Sequence, residues 1–230
     1  QNYNMTLNEF KVIFWWEWAH RFFGRLIGLG YLIPLIYFSF KIKFTQLLNL
    51  YFIFFLICFQ GLIGWYMVSS GLVDRLDVSH FRLSAHLLIA FLILSLIFWN
   101  YLKINITRKT TTKLNIFIPL LFLVLIFLQI SIGAFVSGMD AGKIYNSWPL
   151  MGNSYFPNDN NLNNLFEVTA LSDPSLVQFI HRNLAYLIGT FYILIIYKIY
   201  RNKMYDLYKS INYLGIFIIS QIILGIFTIL

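Results

Sequence analysis

Residues 20–28 read His20-Arg21-Phe22-Phe23-Gly24-Arg25-Leu26-Ile27-Gly28, and residues 181–189 read His181-Arg182-Asn183-Leu184-Ala185-Tyr186-Leu187-Ile188-Gly189. Both open on His-Arg, close on Leu-Ile-Gly and lead into a long apolar stretch. A third stretch begins the same way, at His86 with Ala90 four residues on. These His-x-x-x-small segments alternate along the chain with Gln-x-x-x-Gly segments at Gln60–Gly64, Gln129–Gly133 and Gln221–Gly225. The chain is therefore an internal repeat. Its unit is one helix carrying Gln-x-x-x-Gly followed by a returning helix carrying His.

The surroundings of the repeat are apolar throughout. The 230 residues are 59% hydrophobic and 11% charged, against about 25% charged in an ordinary soluble domain. About 20 apolar residues cross the hydrocarbon core as a helix. Six such spans are expected, at roughly 18–40, 47–69, 83–102, 114–136, 177–200 and 211–230. The expected fold class is all-α, a polytopic membrane helix bundle. The net charge of +8 lies in short connections between spans, which argues for contact with membrane lipid and against nucleic acid.

Lysine and arginine set the orientation. Lys41 and Lys43, then Lys103, Arg108, Lys109 and Lys113, then Lys198, Arg201, Lys203 and Lys209 fall in alternate connections, which are expected on the cytoplasmic or matrix side. The opposite connections hold Glu9, Asp74, Asp77, Asp140, Asp159, Glu167 and Asp173. The histidines stand at the start of alternate spans and so share one depth on the outer side. Cys58, the one cysteine, lies inside the second span and reads as a packing residue.

Read through the repeat, the chain begins and ends in mid-unit. The expectation is a parent of eight helices in two pseudo-twofold four-helix halves. This chain would lack the first and last of them, and the missing last helix would carry a fourth histidine. The first half is placed at 1–110 and the second at 111–230.

Ionisable groups within a span are costly and persist where function or pairing retains them. Spacings of three and four place Glu17, His20, Arg21 and Gly24 on one helical face, which should point into the bundle. The alternative is a Glu17–Arg21 ion pair at the membrane interface. Neutral imidazoles on facing helices are a common way to hold heme iron, so His20 and His86 form a candidate pair and His181 a candidate third ligand. Small residues one turn below each histidine would let a planar macrocycle lie against the helix flank. They equally suit close helix packing in lipid, which is also the reading of the Gln-x-x-x-Gly segments taken alone. Arg82 and Arg182 are candidates for heme propionates, lipid headgroups being the alternative, and Arg21 is a further candidate for cofactor binding. His80, about 240 degrees around a helix from His86, reads as an exposed loop residue beside Asp74, Arg75 and Asp77. The long connection 137–175 reads as a lid over the histidine side, with 158–164 flexible.

At these residues the chain resembles the heme A synthase family, in its mitochondrial and proteobacterial branch. The matching elements are Glu17-Trp18-Ala19-His20-Arg21 with Gly24-Arg25, Gln60-Gly61-Leu62-Ile63-Gly64-Trp65-Tyr66-Met67-Val68 with Ser70-Gly71-Leu72, Arg82-Leu83-Ser84-Ala85-His86, the 137–152 loop, and Gln178-Phe179-Ile180-His181-Arg182. The resemblance implies eight helices in an inner membrane, bacterial or mitochondrial. It implies oxidation of the C8 methyl of heme O to the formyl of heme A, for terminal oxidases, by two successive hydroxylations and loss of water. It further implies that His20 and His86 hold the substrate heme, that His181 ligates a permanent heme b whose other ligand lies on the eighth helix, and that Glu17 moves protons or stabilises charge beside the reacting methyl. Heme O synthase, oxidase assembly factors and a second copy of the chain are the candidate partners. Two other readings stand beside it: a bis-histidine cytochrome passing electrons between quinol and a partner, and a transporter with interfacial histidines.

Overall fold

The computed structural model describes residues 5–71, 78–105 and 114–230. Leu72, Asp74, Arg75, Asp77, Arg108, Lys109 and Lys113, all used above, lie outside the described residues. The described residues form six long helices: α1 (Leu7–Ser39), α2 (Phe44–Gly71), α3 (His80–Asn105), α4 (Phe117–Gly138), α5 (Pro174–Arg201) and α6 (Tyr205–Phe227). All six are long and apolar enough to cross a membrane. Between α4 and α5 lie three short 3-10 turns, Ala141–Lys143, Leu162–Phe166 and Val168–Ser172.

Four helices start within three residues of expectation, α6 starts six residues early, and α1 starts much earlier still. Thr6 caps it in a reciprocal box with Glu9: Glu9 N–H donates to Thr6 Oγ1 at 3.4 Å and Thr6 N–H to Glu9 Oε2 at 2.8 Å. That pair fixes a start which hydropathy misses, because Glu9 and Lys11 interrupt the apolar run. The 33 residues of α1 reach about 50 Å, longer than a hydrocarbon core of about 30 Å. At α5, Asp173 accepts from Leu176 N–H at 2.9 Å and Pro174 occupies the first turn, where its missing N–H costs nothing.

The fold divides into two units. One comprises Gln1–Val78 with Ile89–Asn105, the other Ser79–Leu88 with Ile106–Leu230. In the first, Ile53, Leu56 and Ile93 are the buried centre, with Tyr31, Ile57, Ile89 and Leu96 packed around them. Tyr31 donates to the Leu50 carbonyl at 3.1 Å, and the Ser39 and Tyr51 hydroxyls lie 2.6 Å apart. In the second, Phe122, Ile188, Ile195, Ile199, Ile211 and Ile218 join α4, α5 and α6. Gly215 allows the closest approach there, since a Cβ on it would stand 2.0 Å from the Tyr192 hydroxyl. Large apolar side chains such as Trp16, Phe23, Leu94 and Phe217 are exposed, as a lipid solvent permits. Cys58 is exposed as well, a correction to its reading as a packing residue: it lies on the outer flank of α2, away from Ile53 and Leu56.

Candidate functional site

The second unit gathers its polar side chains at one end of α4 and α5. Gln129 of α4 faces His181 of α5, with its amide nitrogen 3.2 Å from the imidazole Nε2 and 3.2 Å from the His181 backbone carbonyl. One turn along α4, a Cβ on Gly133 would stand 3.1 Å from His181 Cε1. His181 Nδ1 and Gln129 Oε1 are buried without a hydrogen-bond partner among the described residues. The Gln-x-x-x-Gly spacing of α4 thus serves one imidazole, a role that sequence reasoning treated as packing. The signal was present in the alternation of the two motifs.

The same end of α4 receives the start of α3. Ser84, 3% exposed, places its hydroxyl 2.8 Å from that of Ser131, and a Cβ on Gly138 would stand 3.0 Å from His80 Cβ. His80 is not a loop residue. It opens α3, half-buried, with its ring 5.1 Å edge-on from Phe135. The helix extends further toward its N-terminus than the apolar run, and Phe135 supplies the apolar wall. His86 and Arg82, both half-buried, belong to this first part of α3.

Arg182, directly after His181, is 7% exposed and turns to the 139–173 connection. Its Nη1 donates to the carbonyls of Ser147 at 2.8 Å and Leu150 at 3.3 Å, and its Nη2 to that of Tyr145 at 2.9 Å. Gln178, one turn earlier and 2% exposed, donates to Tyr145 O at 3.0 Å. Further clamps are Trp148 Nε1 to Tyr186 at 2.8 Å and Tyr155 to Asn183 at 2.5 Å. Asp159 accepts from Tyr145 at 2.9 Å and from Ser175 at 2.5 Å. Burial pushes the Asp159 carboxyl up, but the hydrogen bonds from Ser175 and Tyr145 prevail and hold it below its usual range. The expectation of a flexible 158–164 is corrected by this network. Asn158 accepts from Ser154 at 2.5 Å, Asn160 donates to Asp173 at 3.3 Å and Asn164 to Asn160 at 3.1 Å.

In the first unit, Glu17 and Arg21 form an ion pair on α1 with both side chains more than half exposed. His20 beside them is exposed too, and a Cβ on Gly24 would meet nothing within 4 Å. The face expected to point inward is open here because the partners of α1 lie along its second half, from Gly28 against Ile57 to Ser39 against Tyr51. His20 belongs to the first unit and His86 to the second.

The COX15-CtaA family model, a cytochrome oxidase assembly protein, matches residues 1–230. A heme A synthase of Pelagibacter ubique is 50% identical over 231 residues, covering 100% of this chain and 68% of the relative. Heme A synthases of Rickettsia bellii and Rickettsia felis are 42% and 40% identical, each covering 100% of this chain and 70% of the relative. No solved structure matches. A match of this extent decides the question: the chain belongs to the heme A synthase family of cytochrome oxidase assembly proteins.

Proposed function

We propose that this chain carries out heme A synthesis by oxidising the C8 methyl group of heme O to a formyl group, supplying heme A to a terminal oxidase. The observation that carries the reading is His181, a half-buried imidazole clasped by α4 with one ring nitrogen lacking a protein partner among the described residues, in a chain that matches its family from end to end.

His181 fits a resident heme b. Neutral imidazole is a common axial ligand, and His181 would present Nε2 to the iron in place of its 3.2 Å contact with the Gln129 amide nitrogen. When bound, that heme would supply a one-electron centre. His20 and His86 hold the substrate heme in this reading, and the open flank at Gly24 suits a planar macrocycle. Arg21 engages Glu17 Oε2, which leaves Glu17 Oε1 as the oxygen that moves protons or stabilises developing positive charge beside the reacting methyl. Arg82 meets a propionate. Arg182 acts through the loop it anchors next to His181, since both its terminal nitrogens are engaged by loop carbonyls.

The finer architecture belongs to the same proposal. The six spans belong to an eight-helix, pseudo-twofold arrangement of two four-helix halves, to which 1–110 and 111–230 contribute three helices each, in an inner membrane with the histidine side outward. Equal spacings from His86 to Lys103 and from His181 to Lys198, about 26 Å along a helix, support one common depth for the ligands. Roughly a third of each relative lies outside the match, enough chain for further spans and the other ligand of heme b. Heme O synthase and oxidase assembly factors are the partners this chemistry calls for.

The test is to purify the full-length protein from cells that make heme O and to identify the extracted hemes. Heme A or hydroxylated heme O is expected, and heme b as the sole heme would point to electron transfer. Glu17→Gln is expected to retain heme and to accumulate heme O or its alcohol. A normal heme A yield in that variant would remove Glu17 from the chemistry.

A further inference from the structure

The Gln129 amide nitrogen stands 3.2 Å from the His181 carbonyl oxygen and 3.2 Å from Nε2 of the same residue. A carbonyl oxygen only accepts, which fixes the nitrogen of the amide, rather than its oxygen, on this side. The amide N–H in turn only donates. Nε2 therefore accepts with its lone pair, and the single proton of the neutral ring sits on Nδ1. Nδ1 is buried without a hydrogen-bond partner among the described residues, so among those residues Gln129 selects the tautomer.

The lone pair held by Gln129 is the one an iron would take. Gly133 brings the flank of α4 to the same edge of the ring, its absent Cβ being 3.1 Å from Cε1 and 4.0 Å from Nε2. Iron and the Gln129 N–H thus compete for one position, and coordination requires Nε2 to leave the amide. Helix packing alone does not call for such a contact. Gln129 Oε1 is buried with no partner among the described residues, a cost that an apolar side chain would avoid.

We infer that Gln129 is a latch on His181, holding Nε2 until the iron of heme b displaces it. The inference rests on the reading of His181 as an axial ligand. The latch stabilises the protein before heme binds and has no hold on Nε2 afterwards. It therefore slows and weakens heme uptake and leaves the rate of release unchanged.

The experiment uses the full-length protein freed of heme, with hemin as the probe, and compares wild type with Gln129→Leu and Phe122→Leu. Leucine neither donates a hydrogen bond nor ligates iron. Phe122 belongs to the core shared by α4 and α5, its ring 6.1 Å from that of Phe191, so its variant loosens the helix pair without touching Nε2. Gln129→Leu is expected to bind hemin about fivefold tighter, the factor that one net hydrogen bond supplies, through faster uptake at an unchanged release rate. Nitrogen-15 NMR of the histidine-labelled wild type is expected to show His181 protonated on Nδ1, its signals being those lost in His181→Ala. Unchanged or weaker affinity in Gln129→Leu, a gain carried by slower release, or an equal gain in Phe122→Leu would overturn the latch. So would a wild-type His181 protonated on Nε2, a measurement that stands even where Gln129→Leu does not fold. His181→Ala separates the two levels. Undiminished hemin affinity in that variant defeats the ligand reading, whereas affinity lost there and unchanged in Gln129→Leu defeats the latch alone.

Discussion

The His-Arg pair occurs twice in matching sequence, and its two copies live in opposite surroundings. On α5, His181 is held by Gln129 and Gly133, and Arg182 is 7% exposed with its terminal nitrogens on three loop carbonyls. On α1, His20 is exposed, Arg21 pairs with Glu17 at the surface, and the flank at Gly24 is open. One pattern therefore stands once in a half-buried, hydrogen-bonded setting and once on an open flank. A resident cofactor suits the first, since enclosure slows its loss. A substrate that must enter and leave suits the second.

The largest effect expected from this contrast is on heme content. His181→Ala should abolish the heme b spectrum of the full-length protein, because it removes the proposed axial ligand. His20→Ala should leave heme b in place and remove heme O from the purified protein. Extraction and chromatography of hemes from both variants checks the pair, and loss of the same heme from both would break the division of labour between the copies.

The arginines come next. Arg182→Ala removes a buried cation and strands the carbonyls of Tyr145, Ser147 and Leu150, a loss of about 2–4 kcal/mol of stability. Arg21→Ala breaks an exposed pair, for which under about 1 kcal/mol is expected. Thermal unfolding in detergent measures both. Equal destabilisation would show that the α1 pair is sheltered to the same degree as the α5 anchor.

How much of this could be read in the sequence follows from the kind of signal involved. Six helices, the alternation of motifs and the three histidines were legible, because apolar length and repeat spacing are properties of the chain itself. The start of α1 was not, since a Thr6–Glu9 cap overrides the polar residues that hydropathy counts as a boundary. His80 was placed in a loop because its neighbour in space, Phe135, is 55 residues away in sequence. The long connection carried asparagines that suggested flexibility. Their hydrogen bonds to Ser154, Asp173 and one another become visible only once the chain is folded. Gln129 was seen and assigned to packing, because nothing local to α4 announces an imidazole on α5.

Glycines offer a smaller handle on helix contact. Gly215→Ala should destabilise by about 1–3 kcal/mol, because the Tyr192 hydroxyl, which donates to Ile211 O at 3.2 Å, stands where the methyl would go. Gly24→Ala meets nothing and should leave unfolding unchanged, or raise stability slightly through helix propensity. If Gly24 lines the substrate heme, its alanine variant should still retain less heme O than wild type. Undiminished heme O would assign Gly24 to the lipid-facing surface.

The smallest effect is a pH dependence confined to the closed copy. Asp159 ties the loop to the start of α5 through Tyr145 and Ser175, and those bonds keep its carboxyl below the usual value of 3.8 in the folded protein. A depressed carboxyl contributes stability that is fully present above its unfolded pKa and is lost as pH falls through the folded one. Loop docking should accordingly be constant from pH 7 to about pH 4 and weaken only below. Asp159→Asn should flatten that acid limb while leaving α1 untouched. Amide exchange at residues 158–164, compared with residues 17–24 over the same range, reads both. An acid response of equal size at residues 17–24 would mean that the limb reports the bundle as a whole.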